Sequence, residues 1–196
     1  MENLYQNKVK YVLSKFLAFL CILLFLPLMI LIAVLIKLDS KGKLIFYQRR
    51  MGRDGVEFTI YKFRTMKEHA FEEGSGASTY ESDPRITNVG KVLRKTSLDE
   101  LPQLFNILTG NMCFIGPRPL LPGIPMKYEE YPKEHKVRFS VLPGMFCLVD
   151  TVYRAEASFE TQCTMDVEYV NHITLCNDVK IFFKTFRMVL LRKGIY

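Results

Sequence analysis

Paired cysteines, clustered histidines and internal repeats are all missing from this chain. The five cysteines (Cys21, Cys113, Cys147, Cys163 and Cys176) are an odd number without a Cys-x-x-Cys spacing. That speaks against a disulfide scaffold and a structural zinc site, and it fits a reducing compartment. The 3 histidines lie far apart, so zinc chemistry of the His-Glu-x-x-His type is excluded. With Gly 11 and Pro 9, there is no collagen-like period and no long flexible linker. Hydrophobic residues at 49% and charged residues at 24% exclude a disordered tail protein and a polytopic transporter. A length of 196 residues suits one compact domain, or one domain plus an appendage.

What is present is positive charge and one long apolar run. Lys+Arg 27 against Asp+Glu 20 give a net charge of +7. A basic balance points to an anionic partner: nucleic acid, an anionic membrane surface or a phosphorylated substrate. A membrane-tethered nucleic-acid binder rests on charge alone, since no stacking platform or helix-turn-helix pattern accompanies it.

Phe16 to Ile36 contains no charged or strongly polar residue and is bounded by Lys15 and Lys37. At ~1.5 Å rise per residue, a helix of that length covers roughly 30 Å, enough to cross a bilayer core. A signal peptide would have a shorter apolar core and a small-x-small cleavage site. Here Ile36-Lys37-Leu38-Asp39 follows, so a retained segment is expected. Pro27 lies near its middle, where proline kinks or breaks a helix. Both flanks are basic: Lys8, Lys10 and Lys15 before the run, and Lys37, Lys41, Lys43, Arg49 and Arg50 after it. Basic flanks favour the cytoplasmic side. Two readings follow: a helix that enters, bends at Pro27 and leaves on the same face, or an ordinary kinked spanning anchor.

Leu44–Gln48 and Phe58–Phe63 read as two short strands around Gly52 and Asp54-Gly55, a hairpin. Met66 to Gly76 reads as a short polar helix fraying into a Gly/Ser loop, and Ser82-Asp83-Pro84 as a turn. Leu101, Leu104, Phe105 and Leu108 have the spacing of an amphipathic helix ending near Thr109, with Gly110 as its stop. Ser97-Leu98-Asp99-Glu100 fits a capping box with Ser97 as N-cap, although Pro102 permits a later start. Ile124 to Phe139 is amphipathic. At the end, Val179, Phe182, Phe183, Phe186, Val189 and Leu190 form an apolar stripe complemented by Lys180, Lys184, Arg187, Arg192 and Lys193. That pattern suits a helix lying on anionic lipid and equally a core-facing helix with a solvated side.

Acidic residues in a first helical turn ordinarily just complement the macrodipole. The same place suits an ionised carboxylate that attacks phosphorus or binds a metal, provided cations stand beside it. Candidates are Lys62 and Arg64 at the end of the second strand, Arg94 and Lys95 before the Asp-Glu turn, and Arg118 between Pro117 and Pro119. An arginine fixed by prolines loses less entropy on binding phosphate bidentately.

Lys62-Phe63-Arg64-Thr65-Met66, Asp83-Pro84-Arg85-Ile86-Thr87, Leu93 through Leu104 and Gly116-Pro117-Arg118-Pro119 occur in one fixed order. This closely resembles the bacterial sugar transferases, the small monotopic polyprenyl-phosphate phosphoglycosyl transferases. The resemblance covers nearly the whole chain and implies an α+β, mostly helical fold. It implies a re-entrant membrane helix broken at Pro27 (residues 1–40) and a cytoplasmic catalytic domain lying on the membrane surface (residues 41–196). The implied reaction transfers sugar-1-phosphate from a UDP-sugar to undecaprenyl phosphate at the cytoplasmic face of the bacterial inner membrane, releasing UMP. Its product would feed downstream glycosyltransferases of surface polysaccharide or glycoprotein glycan assembly.

By the same resemblance Asp99 is the nucleophile and binds Mg²⁺, and Glu100 is its acidic partner. Lys62, Arg64, Arg94 and Arg118 hold phosphate, with Asp166, Arg154, Pro117 and Pro119 in support. Three positions depart from the pattern. Leu26 replaces a serine before Pro27, and Asn111 replaces an aspartate. Pro143 to Asp150 keeps only Pro143 and Gly144 of the usual run. That last departure motivates the alternative of a non-catalytic homologue that binds polyprenyl phosphate or partner enzymes, and it leaves the sugar open.

Overall fold

A computed structural model describes residues 5–68, 70, 83–153 and 157–190. The apolar run forms helix α1 (Lys10–Asp39), which continues through Pro27. Strands β1 (Ile45–Met51) and β2 (Glu57–Phe63) follow as the expected antiparallel hairpin, in register from Ile45 opposite Phe63 to Met51 opposite Glu57. Its turn places Asp54 and Gly55 at positive φ. Of the segment from Met66 to Gly76, only 66–68 and 70 are among the described residues. Met66 bridges to Ile86, just past a turn in which the Ile86 N–H donates to the Asp83 carbonyl. Ser82 lies outside the described residues.

Helix α2 (Asn88–Thr96) carries Val89, Val92 and Leu93 at helical spacing, and its start is well capped: the Thr87 hydroxyl accepts from the Gly90 N–H. The expected capping box at Ser97 does not form. Ser97 instead takes the left-handed conformation at φ 56 and closes α2, its N–H donating to the Leu93 and Arg94 carbonyls. Leu98–Glu100 is a single 3₁₀ turn, and α3 (Gln103–Thr109) begins only after Pro102. The chain thus breaks at Ser97 and again at Pro102, because proline fits best where a helix begins. Gly110, at φ 86, ends α3 as its sequence position suggests.

Strand β3 (Cys113–Ile115) pairs in parallel with β4 (Gly144–Phe146). Between them, the amphipathic stretch of 124–139 is not one helix. Prolines divide it into a turn at Tyr128–Glu130, the four-residue α4 (Lys133–Lys136) and a turn at Val137–Phe139. Helices α5 (Phe159–Asn171) and α6 (Leu175–Leu190) complete the fold.

One core joins α1 to the hairpin and α3: Ala18, Ile22, Met29, Ile32 and Ile36 pack with Phe58, Ile60, Phe63, Leu104 and Ile107. Both ends of α1 are tied to this same body. At the start, Lys10 is buried against Asp178 (3.1 Å) and the Tyr169 hydroxyl. At the end, the Asp39 carboxylate accepts from the Val89 N–H (2.9 Å), and Arg64 donates to the carbonyls of Ser40 and Lys41. The outer face of α1 leaves Leu24, Ile30, Leu31 and Val34 exposed. On α6 the buried positions are Asp178, Ile181 and Thr185, whereas Val179, Phe182, Phe183 and Phe186 are exposed. Among the described residues of the terminal apolar stripe, Val179, Phe183 and Phe186 therefore face away from the core, while Phe182 lies edge-on to Phe146.

Candidate active site

The 3₁₀ turn after α2 presents Asp99 and Glu100 towards the hairpin. Lys62, on the inner face of β2, donates to Glu100 Oε1 at 2.6 Å. Arg94, from the last turn of α2, donates through Nε to the Thr65 hydroxyl (2.9 Å) and acts on Asp99 through space. The Asp99 carboxyl is pushed up to about 6, first by burial and also by Glu100 beside it, against the pull of Lys62 and Arg94. Among the described residues no cation forms a direct ion pair with it, so a carboxylate stands between cations without being covered by one.

The Pro117-Arg118-Pro119 loop approaches from the other side, and its main chain is held at each step. The Pro117 carbonyl accepts from the Gly144 N–H (2.9 Å). The Arg118 N–H donates to Asp166 Oδ1 (3.4 Å), and the Arg118 carbonyl accepts from Arg138 Nη2 (2.9 Å). The Pro119 carbonyl accepts from Arg50 Nη1 (3.1 Å), and the Leu120 carbonyl from the Met51 N–H (2.8 Å). Asp166 and Arg138 are both fully buried and pair with each other. Burial pushes the Asp166 carboxyl up to about 6, with Arg138 pulling it down. With its backbone clamped, Arg118 turns its side chain out to Asp150, at 2.8 Å. That carboxylate holds Arg118 firmly protonated, and Glu100 adds to the effect from further away.

Asp99, Glu100, Lys62, Arg94 and Arg118 are therefore brought together, with Pro117, Pro119 and Asp166 supporting the loop. Arg64 is not among them. One residue beyond β2, it is buried and bound to the carbonyls that close α1. Shared charge and nearness in sequence suggested that Lys62 and Arg64 sit together; the end of the strand separates them. Arg154 lies outside the described residues. Sequence reasoning missed Arg50, Arg138 and Asp150. Arg50 had a legible signal, since it alternates with exposed Arg49 on a strand and so shares the inner face with Gln48. Arg138 and Asp150 come from irregular segments and had none.

A family model for bacterial sugar transferases matches residues 5–192. The chain belongs to the bacterial sugar transferase family. Among its relatives, the exopolysaccharide production protein ExoY of Rhizobium meliloti is 37% identical, over 91% of this chain and 84% of that protein. The UDP-N-acetylgalactosamine-undecaprenyl-phosphate N-acetylgalactosaminephosphotransferase of Aeromonas hydrophila is 40% identical, over 90% of this chain. The UDP-glucose:undecaprenyl-phosphate glucose-1-phosphate transferase of Escherichia coli is 37% identical, over 92% of this chain. The chain spans 84% of the ExoY protein but only 42% and 40% of the two phosphotransferases. In this sugar transferase the divergent run from Pro143 to Asp150 is built into the site: β4 carries the Pro117 contact and Asp150 holds Arg118.

Among the described residues no three His, Cys, Asp or Glu side chains converge as a metal site. Asp99 and Glu100 alone are two hard oxygen donors. Mg²⁺ commonly takes one or two carboxylates and completes its shell with water and substrate phosphate, so the residues present fit that ion in company with a diphosphate.

Proposed function

We propose that this sugar transferase moves sugar-1-phosphate from a UDP-sugar to undecaprenyl phosphate through a covalent intermediate on Asp99. The observation that carries the reading is an uncovered, partly buried Asp99 carboxylate under the pull of Lys62 and Arg94, with Glu100 beside it in the field of Arg118. An Asp99 oxygen attacks the sugar-bearing phosphorus of the donor. The bond from that phosphorus to the bridging oxygen breaks, and UMP leaves with the bridging oxygen. An oxygen of the lipid phosphate then attacks the same phosphorus, the acyl-phosphate bond breaks, and Asp99 is regenerated as a carboxylate. Glu100, oriented by Lys62, positions the lipid phosphate or takes its proton. Lys62, Arg94 and Arg118 offset the charge of two phosphorylated substrates. Bound Mg²⁺, held by Asp99 with the donor diphosphate, would neutralise the charge that develops on the leaving phosphate.

The reading places the protein on the cytoplasmic face of the inner membrane, with α1 dipping into one leaflet. Two observations support this. Both ends of α1 are bound to the same globular body. Between the buried Ile22 and Met29, around Pro27, its hold on that body is lighter, with only the partly buried Phe25 and Leu28 packed against the core. The exposed aromatic residues of α6, with Lys180, Lys184 and Arg187, suit a second contact with lipid. Its product would pass to glycosyltransferases of surface glycan assembly.

The test uses the full chain in nanodiscs with undecaprenyl phosphate, Mg²⁺ and a panel of UDP-sugars. Wild type should release UMP from one donor and show a phosphosugar adduct by intact mass. Asp99→Asn should lose both, a fall of at least about 10³-fold for removal of a nucleophile. UMP release that survives in Asp99→Asn would refute the covalent route.

A further inference from the structure

Charge near the Pro117-Arg118-Pro119 loop does not balance. Arg50 sits on β1 opposite Phe58, on the same inner face of the hairpin as Lys62, which is opposite Phe46. Its guanidinium is half-buried and reaches the loop directly, donating from Nη1 to the Pro119 carbonyl at 3.1 Å. Nε and Nη2 both donate to Gln48 Oε1, at 3.2 and 2.7 Å. Every one of these acceptors is a neutral oxygen. Among the described residues no carboxylate lies within ion-pair distance of Arg50. The acid that acts on Arg50 through space, Glu100, is already paired with Lys62, and Asp150 is taken by Arg118.

Three guanidinium groups, of Arg50, Arg118 and Arg138, therefore surround one loop with two carboxylates, Asp150 and Asp166, which pair with Arg118 and Arg138 and leave Arg50 without one. Burial, with Arg118 adding to it, presses Arg50 down to about 10, while Glu100 opposes the fall. A half-buried arginine beside a second arginine is costly unless the two share an anion. The hydrogen bonds to Gln48 and Pro119 fix the plane of the Arg50 fork and use three of its five N–H donors. A phosphate oxyanion is rich in acceptors and can take forks from two arginines at once.

We propose that Arg50 is a further oxyanion-binding residue of the site, holding a substrate phosphate jointly with Arg118. This rests on the transferase reading given above. The phosphate belongs either to the nucleotide diphosphate of the donor or to the lipid acceptor, and the chemistry is the same for both.

The experiment compares wild type, Arg50→Met, Arg50→Lys and Arg49→Ala in nanodiscs. Arg49 lies on the opposite face of β1, exposed, and pairs with Glu57. UDP binding is measured by calorimetry without acceptor, and KM for undecaprenyl phosphate is measured by UMP release. Arg50→Met should weaken at least one ligand by about tenfold or more, the scale of a lost charge-assisted hydrogen bond. Arg49→Ala should leave both unchanged. Weakening in the UDP arm assigns the donor diphosphate, and weakening in the acceptor arm alone assigns the lipid phosphate. Loss of the Arg50 charge should also flatten the salt dependence of binding, which a merely displaced loop with its charges intact would not do.

Arg50→Met that folds as wild type and keeps both affinities within about twofold overturns the proposal. If Arg50→Met does not fold, Arg50→Lys decides: it keeps the charge but loses the fork, so severalfold weakening is expected and unchanged affinities refute the idea. Should wild type bind UDP yet release no UMP from any donor, the transferase reading fails, while the UDP arm still judges Arg50.

Discussion

At the residue scale, the behaviour of Asp99 follows from competition between burial and neighbouring charge. In the proposed reaction the Asp99 carboxylate must be ionised to attack. Burial and Glu100 raise its pKa to about 6, so the protonated, unreactive form prevails below that value. The acid limb of kcat/KM is therefore expected near pH 6. Lys62 pulls the pKa of Asp99 downward, so Lys62→Met should move that limb to higher pH, whatever it does to the plateau rate. A limb that stays put or shifts down would show that Lys62 does not act on Asp99. Asp166 illustrates a different role. Buried and paired with Arg138, it touches only the backbone of the Arg118 loop, so it holds the loop rather than the substrate.

At the scale of elements, the decisive contact is between the loop after β3 and the start of β4. A Cβ added at Gly116 would lie 2.7 Å from both the Gly144 nitrogen and the Leu142 carbonyl. Those are backbone atoms at and just before the start of β4 and cannot turn aside as a side chain can. Gly116→Ala should therefore cost about 1–3 kcal/mol of stability and lower activity by displacing Arg118. Thermal unfolding and UMP release on the same preparation check this; full activity with an unchanged Tm would refute it. The hairpin was readable beforehand because strand alternation and the Asp54-Gly55 turn agree. The region of 88–109 was only half readable. Its apolar period revealed α3, but the four residues Ser97 to Glu100 fit a capping box and a break between helices equally well. Packing of Leu93, Leu101 and Leu104 into one core with α1 chose the break.

At the scale of the whole molecule, exposed apolar surface lies on the outer face of α1 and on the aromatic face of α6. The chain contains no tryptophan, so Phe183→Trp introduces a single emitter at an exposed site on α6. Its emission should be quenched in nanodiscs containing brominated lipid if α6 lies on the bilayer. Unquenched, water-like emission would place that face in the cytosol. The sequence period on this helix allowed two orientations, because an apolar stripe reads alike whether it meets protein or lipid. Burial of Asp178 against Lys10 and Tyr169 settles which side faces inward, and that contact joins residues far apart in the chain.

By itself the sequence determined the long apolar helix, the hairpin and the order of motifs around Asp99-Glu100 and Pro117-Arg118-Pro119. These are local matters: hydropathy over one run, alternation over a strand, and proline and glycine at turns act between near neighbours. Only the tertiary structure decided which cations reach the carboxylates. It sent Arg64 to the end of α1 and Lys62 to Glu100, although they stand two positions apart. It also brought in Arg50, Arg138 and Asp150, whose partners are separated from them by 69, 28 and 32 positions. Ion pairs and carbonyl contacts of that kind depend on where distant segments pack, and no local period records them.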